Sequence, residues 1–412
     1  MVKMLGRESD VRRLVCVTNI PTPYRFHLFS SLAEQLRDEG IELEVKFMAG
    51  TEPGRLWRVD MQSLKFNHEI AAGIHPSVGG SLFHFNLGLV FSLLRNPPTW
   101  LMVGGWHLPT AFCLVFMFSI FRRDTCTILW TEANYRSQQS TSRLVSRFRR
   151  FVGGRVSAYA VPGEVAEETI VRHWKMRGRT VLRLANVVDE HAFRDGVDAL
   201  KLRKLELRAI AGIMAEDIVL LWPARLEDTT KGFINFLQSV APVMPNHLKV
   251  LVAGEGADRQ SIETLLKRFQ LTNVRLLGHC SQERMLELLA LADAMILPSL
   301  MDRNPLSVIE SLWAGLPILI SERCGNWPEA VRVGENGWVV DPDSVSSMQK
   351  ALLELAGKSQ EELARMGQVS RSIAEATFDT RKCVASFVSD LLTKTQARPP
   401  SLSCRATTAD SH

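Results

Sequence analysis

The 412-residue chain is 46% apolar and 23% charged, a globular balance that excludes a disordered, collagen-like or membrane-embedded polypeptide and leaves room for two domains. Its seven cysteines, Cys16, Cys113, Cys126, Cys280, Cys324, Cys383 and Cys404, form no Cys-x-x-Cys pair and no Cys/His cluster, which argues against a zinc module or disulfide framework and for a reducing cytoplasm. The formal charge of +5 is uneven: residues 1–190 hold 24 Lys and Arg against 17 Asp and Glu, the remainder 25 against 27. A basic front half suits an anionic partner, either a membrane surface or a phosphorylated substrate; the alternative is a scatter of solubilising arginines.

The apolar run 14–17 is too short for a signal-peptide core, so 14–18 reads as a first strand, followed by a helix over 26–37 and a strand over 43–48. Residues 99–121 contain no Asp, Glu, Lys or Arg. Gly104, Gly105 and Pro109 nevertheless split that stretch into a strand, 100–103, and a short apolar helix, 110–121, closed by Arg122 and Arg123. A membrane span is therefore not expected, and two readings of the helix stand: buried core, or surface-seeking. Strands over 127–130, 158–161 and 181–184 and a helix over 164–174 complete an alternation that predicts an open parallel sheet with helices on both faces. Between them, Arg143, Arg147, Arg149, Arg150 and Arg155 interleave with Leu144, Val145, Phe148, Phe151 and Val152. Without any basic binding module elsewhere, this suits membrane docking or an ordinary surface helix, not nucleic acid.

The pattern restarts with strands over 218–222, 248–253, 274–277, 294–297, 317–320 and 338–340, which predicts a second doubly wound sheet; the periodicity lapses over 186–207. Cys383, Val384, Phe387, Val388, Leu391 and Leu392 recur at helical spacing. The expected organisation is α/β: a Rossmann-like domain over 1–190, a second over 191–370, a closing helix over 371–393 that packs back across the domains, and a disordered tail over 394–412. Such a pair leaves an interdomain cleft at the carboxyl ends of both sets of strands, where open α/β sheets place ligands.

Two segments carry candidate chemistry. In Trp222-Pro-Ala-Arg225-Leu-Glu-Asp-Thr-Thr-Lys231-Gly232, two cations enter a loop before a helix expected to begin near Gly232. An arginine fork, an ammonium and free N–H groups at a helix start suit a diphosphate; surface charge in a turn is the plain alternative. In the second segment Asp302 precedes a helix over 306–313 that carries Glu310 and ends at Gly315. Its two carboxylates suit a ligand's hydroxyls, and the N–H groups of Leu306 and Ser307 suit phosphate. Asp341-Pro-Asp343 resembles an Asp-x-Asp metal motif but follows a strand as a turn, and no metal site is expected.

The order Arg225, Lys231-Gly232, Ala253-Gly-Glu-Gly256, Leu277-Gly278, Pro298-Ser299, Asp302 with Glu310, Gly315-Leu-Pro317 and Asn336-Gly337 resembles the retaining nucleotide-sugar glycosyltransferases of family 4, the glycosyl transferases group 1, which have the GT-B fold. The resemblance is strongest over 215–345 and extends more weakly to Asn19-Ile-Pro-Thr-Pro-Tyr24-Arg25, Gly104-Gly105-Trp106-His107 and Ala185-Asn186-Val-Val-Asp189. It implies that Arg225 and Lys231 hold the donor diphosphate, Glu310 the ribose hydroxyls and Asp302 the transferred sugar, with His279 and Cys280 near the nucleobase. His107 is a further catalytic-side candidate, and Tyr24, Arg25 and Glu132 are acceptor-side candidates. Asp302 stands where the family usually has Glu, Ala224 replaces a common glycine and Asn304 the usual aromatic. The implied activity is sugar transfer from a nucleotide-diphosphate sugar to a hydroxyl, with no essential metal or other cofactor. The basic front half, with the apolar run closed by Arg122 and Arg123 and the arginine-rich stretch 143–155, suits peripheral docking on the cytoplasmic side of an anionic membrane and a glycan or lipid-linked glycan of surface polysaccharide synthesis as acceptor; the alternative is a soluble enzyme whose apolar segment is buried core. A non-catalytic nucleotide-sugar-binding subunit and a nucleotide-sugar epimerase remain as rivals.

Overall fold

The computed structural model describes residues 11–52, 60–78, 81–137 and 142–395. The first half runs β1 (Arg12–Thr18), α1 (Pro23–Asp38), β2 (Ile41–Phe47), β3 (Asn67–Ile70), a hairpin of β4 (Ser77–Val78) and β5 (Ser81–Leu82), α2 (Leu87–Arg95), β6 (Trp100–Gly104), α3 (Pro109–Phe121), β7 (Cys126–Trp130), α4 (Arg143–Gly153), β8 (Ala158–Val161), α5 (Glu164–Glu168) and β9 (Thr180–Arg183). Seven of its strands form one sheet in the order β3-β2-β1-β6-β7-β8-β9, every pair parallel. Leu14, Val15, Cys16 and Val17 are all fully buried, as expected of a strand covered on both faces.

The second half runs α6 (Val197–Lys201), α7 (Lys204–Ile210), β10 (Ile218–Trp222), α8 (Asp228–Lys231), α9 (Phe233–Val240), β11 (Leu248–Ala253), α10 (Arg259–Arg268), β12 (Val274–Gly278), α11 (Gln282–Leu291), β13 (Ala294–Leu297), α12 (Leu306–Trp313), β14 (Ile318–Ser321), α13 (Trp327–Ala330), β15 (Gly337–Val340), α14 (Val345–Ala356), α15 (Gln360–Thr377) and α16 (Thr380–Lys394). Its sheet is again wholly parallel, in the order β12-β11-β10-β13-β14-β15. Strand order reverses between β1 and β6 in one sheet and between β10 and β13 in the other, and a crevice opens at the carboxyl ends of the strands beside each reversal.

The stretch 186–207, where the periodicity lapses, is helical from Ala192 onward apart from a turn at 202–203, and its last helix runs on to Ile210. The lapse comes from cations that point inward: Arg208 is 1% exposed and pairs with the buried Asp293, while Lys204 reaches the same carboxylate at 2.8 Å. Strand β3, of sequence Asn-His-Glu-Ile, also lacks an apolar signature, because it sits at the sheet edge. The chain then crosses back. Helix α15 packs on α12, with Gly367 so close that a Cβ there would lie 2.1 Å from the Gly315 carbonyl oxygen, whereas α16 inserts Val384, Phe387, Val388 and Leu391 into the core of the first sheet. Of the tail expected over 394–412, Lys394 still belongs to α16 and Thr395 is buried; residues 396–412 lie outside the described residues.

No helix among the described residues is long and apolar enough to cross a membrane. Helix α3 buries Ala111, Leu114, Val115 and Phe118 against the sheet, and α4 covers Phe112 and Phe116 through Phe148 and Phe151, at ring separations of 5.2 and 6.2 Å. Ile120, Phe121, Leu144, Val145, Phe148 and Phe151 remain exposed beside Arg123, Arg143, Arg147 and Arg150. Arg149 departs from this cationic stretch by turning inward between Trp106 and Trp174, 5.3 and 5.1 Å from their rings.

Candidate active site

The donor-side candidates follow β10 and β13. Lys231 ends the short helix α8, and Gly232, at φ +67°, turns the chain into α9. A side chain at Gly232 would meet Leu300 Cγ at 2.9 Å and the Pro298 carbonyl oxygen at 3.2 Å. This close approach lets the Lys231 ammonium reach across to Asp302, and the two side chains, 17% and 11% exposed, form an ion pair. The expected anion site at the start of α9 differs from what is found: Asp228 Oδ1 already accepts from the Ile234 N–H at 2.7 Å. Lys231 supplies charge through its side chain alone, and the short carboxylate of Asp302 touches that charge.

Arg225, in the loop after β10, is exposed and pairs with Glu227 at 2.9 Å. Its loop is held by the Ala253-Gly-Glu-Gly256 turn, where a Cβ at Gly254 would lie 2.0 Å from the Ala224 carbonyl oxygen and one at Gly256 2.2 Å from that of Leu226. These glycines serve loop-on-loop packing. Glu310 lies on the second turn of α12, half-buried, with no hydrogen bond or ion pair to its carboxylate among the described residues. Burial pushes its carboxyl up to about 7. Leu306 and Ser307 form the first turn of α12, where N–H groups have no acceptor within the helix. His279 is exposed after β12; Cys280 is half-buried on the same apolar cluster as Leu306, and burial raises its thiol. Asp343 pairs with Arg323, and no group of three or more potential metal ligands occurs among the described residues.

Across the cleft, a cavity of about 590 Å³ gathers the ends of β1, β6 and β7 and is lined by Arg25, Glu52, His107, Trp130, Glu132 and Arg303, among others. Arg25 donates to Thr18 Oγ1 and stacks over Trp130 at 4.5 Å. Glu132 accepts from Asn186 Nδ2 at 2.9 Å. His107 is open to the cavity, yet partial desolvation and then the Arg303 guanidinium hold its pKa below the usual 6.5. Tyr24 does not line this cavity; its ring lies 5.7 Å from the Arg25 guanidinium carbon.

Sequence reasoning missed the residues that join the two walls. Asn134 Nδ2 donates to the backbone carbonyls of Asp302 at 2.9 Å and Arg323 at 2.8 Å, and Ser137 Oγ contacts the same two carbonyls at 3.0 and 2.7 Å. Asn186 Nδ2 bridges Glu132 and Asn304 Oδ1, and Arg136 pairs with Glu322 at 2.8 Å. Asn134 follows the Trp130-Thr-Glu132 strand end by two residues, the one signal that could have singled it out.

Comparison with known proteins bears on this arrangement. HepE of Anabaena, in complex with UDP, superposes with a TM-score of 0.72 at 16% identity, over 92% of this chain and 99% of that one. WaaG, a glycosyltransferase involved in lipopolysaccharide biosynthesis, gives 0.64 at 14% identity, over 93% and 100%. The fold is GT-B. Residues 203–372 of this GT-B chain match the family described as Glycosyl transferases group 1. Over 163 residues the chain is 26% identical to N-acetyl-alpha-D-glucosaminyl L-malate synthase of Bacillus anthracis, 40% of either protein. Over 162 residues it is 31% identical to glycogen synthase of Mycobacterium tuberculosis, 39% of this chain and 38% of that one. The chain thus spans about 40% of the length of these curated relatives.

Proposed function

We propose that this protein is a retaining hexosyltransferase of family 4 that moves a sugar from a nucleoside-diphosphate sugar to a hydroxyl acceptor. The observation that carries the reading is the Lys231–Asp302 pair with Glu310 on one wall of the cleft, facing the cavity of Arg25, His107 and Glu132 on the other. The complexes of HepE with UDP and with UDP-glucose support a nucleoside-diphosphate sugar as donor. Retention rests on the motif order that resembles family 4.

In this reading Lys231 and Arg225 stabilise the negative charge that develops on the departing diphosphate, the largest contribution available to a reaction with an oxocarbenium-like sugar. Glu310 accepts from the ribose hydroxyls, and Asp302 orients Lys231 and meets the sugar. Two cations can neutralise the diphosphate, so transfer should persist in excess chelator; activity lost to chelator and restored by manganese or magnesium would refute this part. The acceptor is a glycan or lipid-linked glycan at the cytoplasmic face of an anionic membrane. The exposed apolar and arginine side chains of α3 and α4 support peripheral docking, since basic residues near such a surface contribute about 1 kcal/mol each. Liposome flotation that rises with anionic lipid and falls with salt is the expected result. Thermal shift against a panel of nucleotide sugars tests the whole proposal: one donor should raise the unfolding temperature, and no response to any of them would contradict it.

A further inference from the structure

The cations of the cleft divide into two kinds. On the donor wall each is matched to a carboxylate: Lys231 to Asp302, Arg225 to Glu227 and Arg323 to Asp343. Among the described residues, the two arginines of the opposite cavity have no such match. Arg25 spends one nitrogen on Thr18 and its face on Trp130, and its buried Nε has no partner. Arg303 reaches the same cavity from the other domain and makes no hydrogen bond or ion pair among the described residues. The cavity's own carboxylates are engaged elsewhere, Glu52 by Asn19 at 3.1 Å and His84 at 3.3 Å, Glu132 by Asn186 at 2.9 Å.

Arg303 is also held in place. The backbone of Asp302, just before it, is gripped by Asn134 and Ser137, Asn304 just after it is bonded to Asn186, and its own carbonyl oxygen lies where a Cβ on Gly325 would be only 1.7 Å away. A guanidinium fork carried on a backbone held in this way, and itself unpaired among the described residues, can meet the planar, two-oxygen edge of a phosphate or carboxylate.

We infer that the acceptor carries an anionic group, a phosphate or a carboxylate, which Arg25 of the first domain and Arg303 of the second grip between them. The inference rests on reading this cavity as the acceptor side. Because Arg303 belongs to the donor domain, the acceptor site is complete only when the two walls are joined, so acceptor affinity reports cleft closure.

The test compares glucose, glucose 6-phosphate and glucuronate as probes, which share a ring and differ in charge, by calorimetric titration of the full chain with UDP present and absent. The same titrations on Lys231→Ala protein remove anion bound at the donor-side lysine from the comparison. Glucose 6-phosphate, glucuronate or both should bind about tenfold or more tighter than glucose. Arg303→Met and Arg25→Met should each remove that advantage, and Arg303→Lys should recover part of it. A response to one charged probe alone tells phosphate from carboxylate. Equal binding of all three sugars, or charged-sugar binding unchanged in both Met variants, overturns the inference. Failure of the wild-type protein to bind any nucleoside diphosphate counts instead against the proposed function, and UDP binding kept by the Met variants shows that they fold.

Discussion

The two walls of the cleft are built differently. The donor wall draws Lys231, Asp302 and Glu310 from two short segments after β10 and β13, and its cations are paired in advance. The acceptor wall takes Arg25 from the first turn of α1 and Glu52, His107 and Glu132 from loops separated by tens of residues, adds Arg303 from the other domain and, among the described residues, leaves two guanidinium groups without a carboxylate. A donor wall made of contiguous motifs can keep one chemistry while the acceptor wall changes loop by loop. Under the proposed function, catalytic charge lies on one side of the cleft and choice of acceptor on the other.

The strongest way to break that division is Lys231→Ala. At saturating donor it should slow transfer by roughly a hundred- to thousandfold, about 2.7–4 kcal/mol of barrier, in a protein that still folds but with a lower unfolding temperature, since Asp302 loses its partner. A rate loss confined to the acceptor KM would move Lys231 out of the donor wall. Asn134→Ala tests the joint between the walls. It strips one donor from the buried contacts to the Asp302 and Arg323 carbonyls, at a cost of about 1–3 kcal/mol. Acceptor KM should rise with the fall in stability, and donor affinity should hold; equal losses on both sides would mean that the walls do not act separately.

Glu310→Gln sharpens the donor side through pH. Ribose hydroxyls bind the carboxylate form, so with Glu310 titrating at about 7 nucleotide affinity should climb between about pH 6 and pH 8, by up to tenfold per unit on the acid side. Calorimetry should show that slope in the wild type and a flat profile in the variant.

The smallest effect belongs to neither wall. His27, Glu190 and Thr380 meet where the crossing chain returns, with His27 Nε2 2.8 Å from Glu190 and Thr380 Oγ1 2.7 Å from it. Burial would raise the Glu190 carboxyl, but hydrogen bonds from His27 and Thr380 hold it down to about 2. The Glu190 hydrogen bond raises His27 above its ordinary 6.5. Stability from His27 is complete below 6.5 and lost as pH rises through its folded value; stability from Glu190 is present above 4.5 and lost as pH falls through about 2. His27→Gln should therefore cost about 1 kcal/mol near pH 6, less at about pH 9, and leave UDP affinity alone.

The donor wall was also the easier one to see in the sequence. Residues 218–222, 248–253 and 294–297 are strands with the bounds expected, and α12 covers the expected 306–313, because buried parallel strands are apolar runs and Pro305 and Gly315 punctuate that helix. The sequence singled out Lys231 in one segment and Asp302 with Glu310 in another, and the fold brings Lys231 onto Asp302. What escaped notice was polar residues acting inward: Arg208 inside the core of the second domain, Arg149 between two tryptophans, and Asn134, Ser137 and Asn186 between the domains. Arg303 was not among the candidates, since only the fold brings it to a cavity of the other domain. Composition marks such residues as surface, and only their distant partners make them interior.

The central claim is transfer with the donor wall supplying the charge. It is tested most directly by following a bound nucleotide sugar with hydroxyl acceptors by proton NMR, in wild-type and Lys231→Ala protein. The account predicts one nucleoside diphosphate released per sugar transferred, the same anomeric configuration in donor and product, and near-complete loss of both signals in the variant. Tight nucleotide binding without turnover on any acceptor, or epimerised nucleotide sugar formed without one, would contradict it.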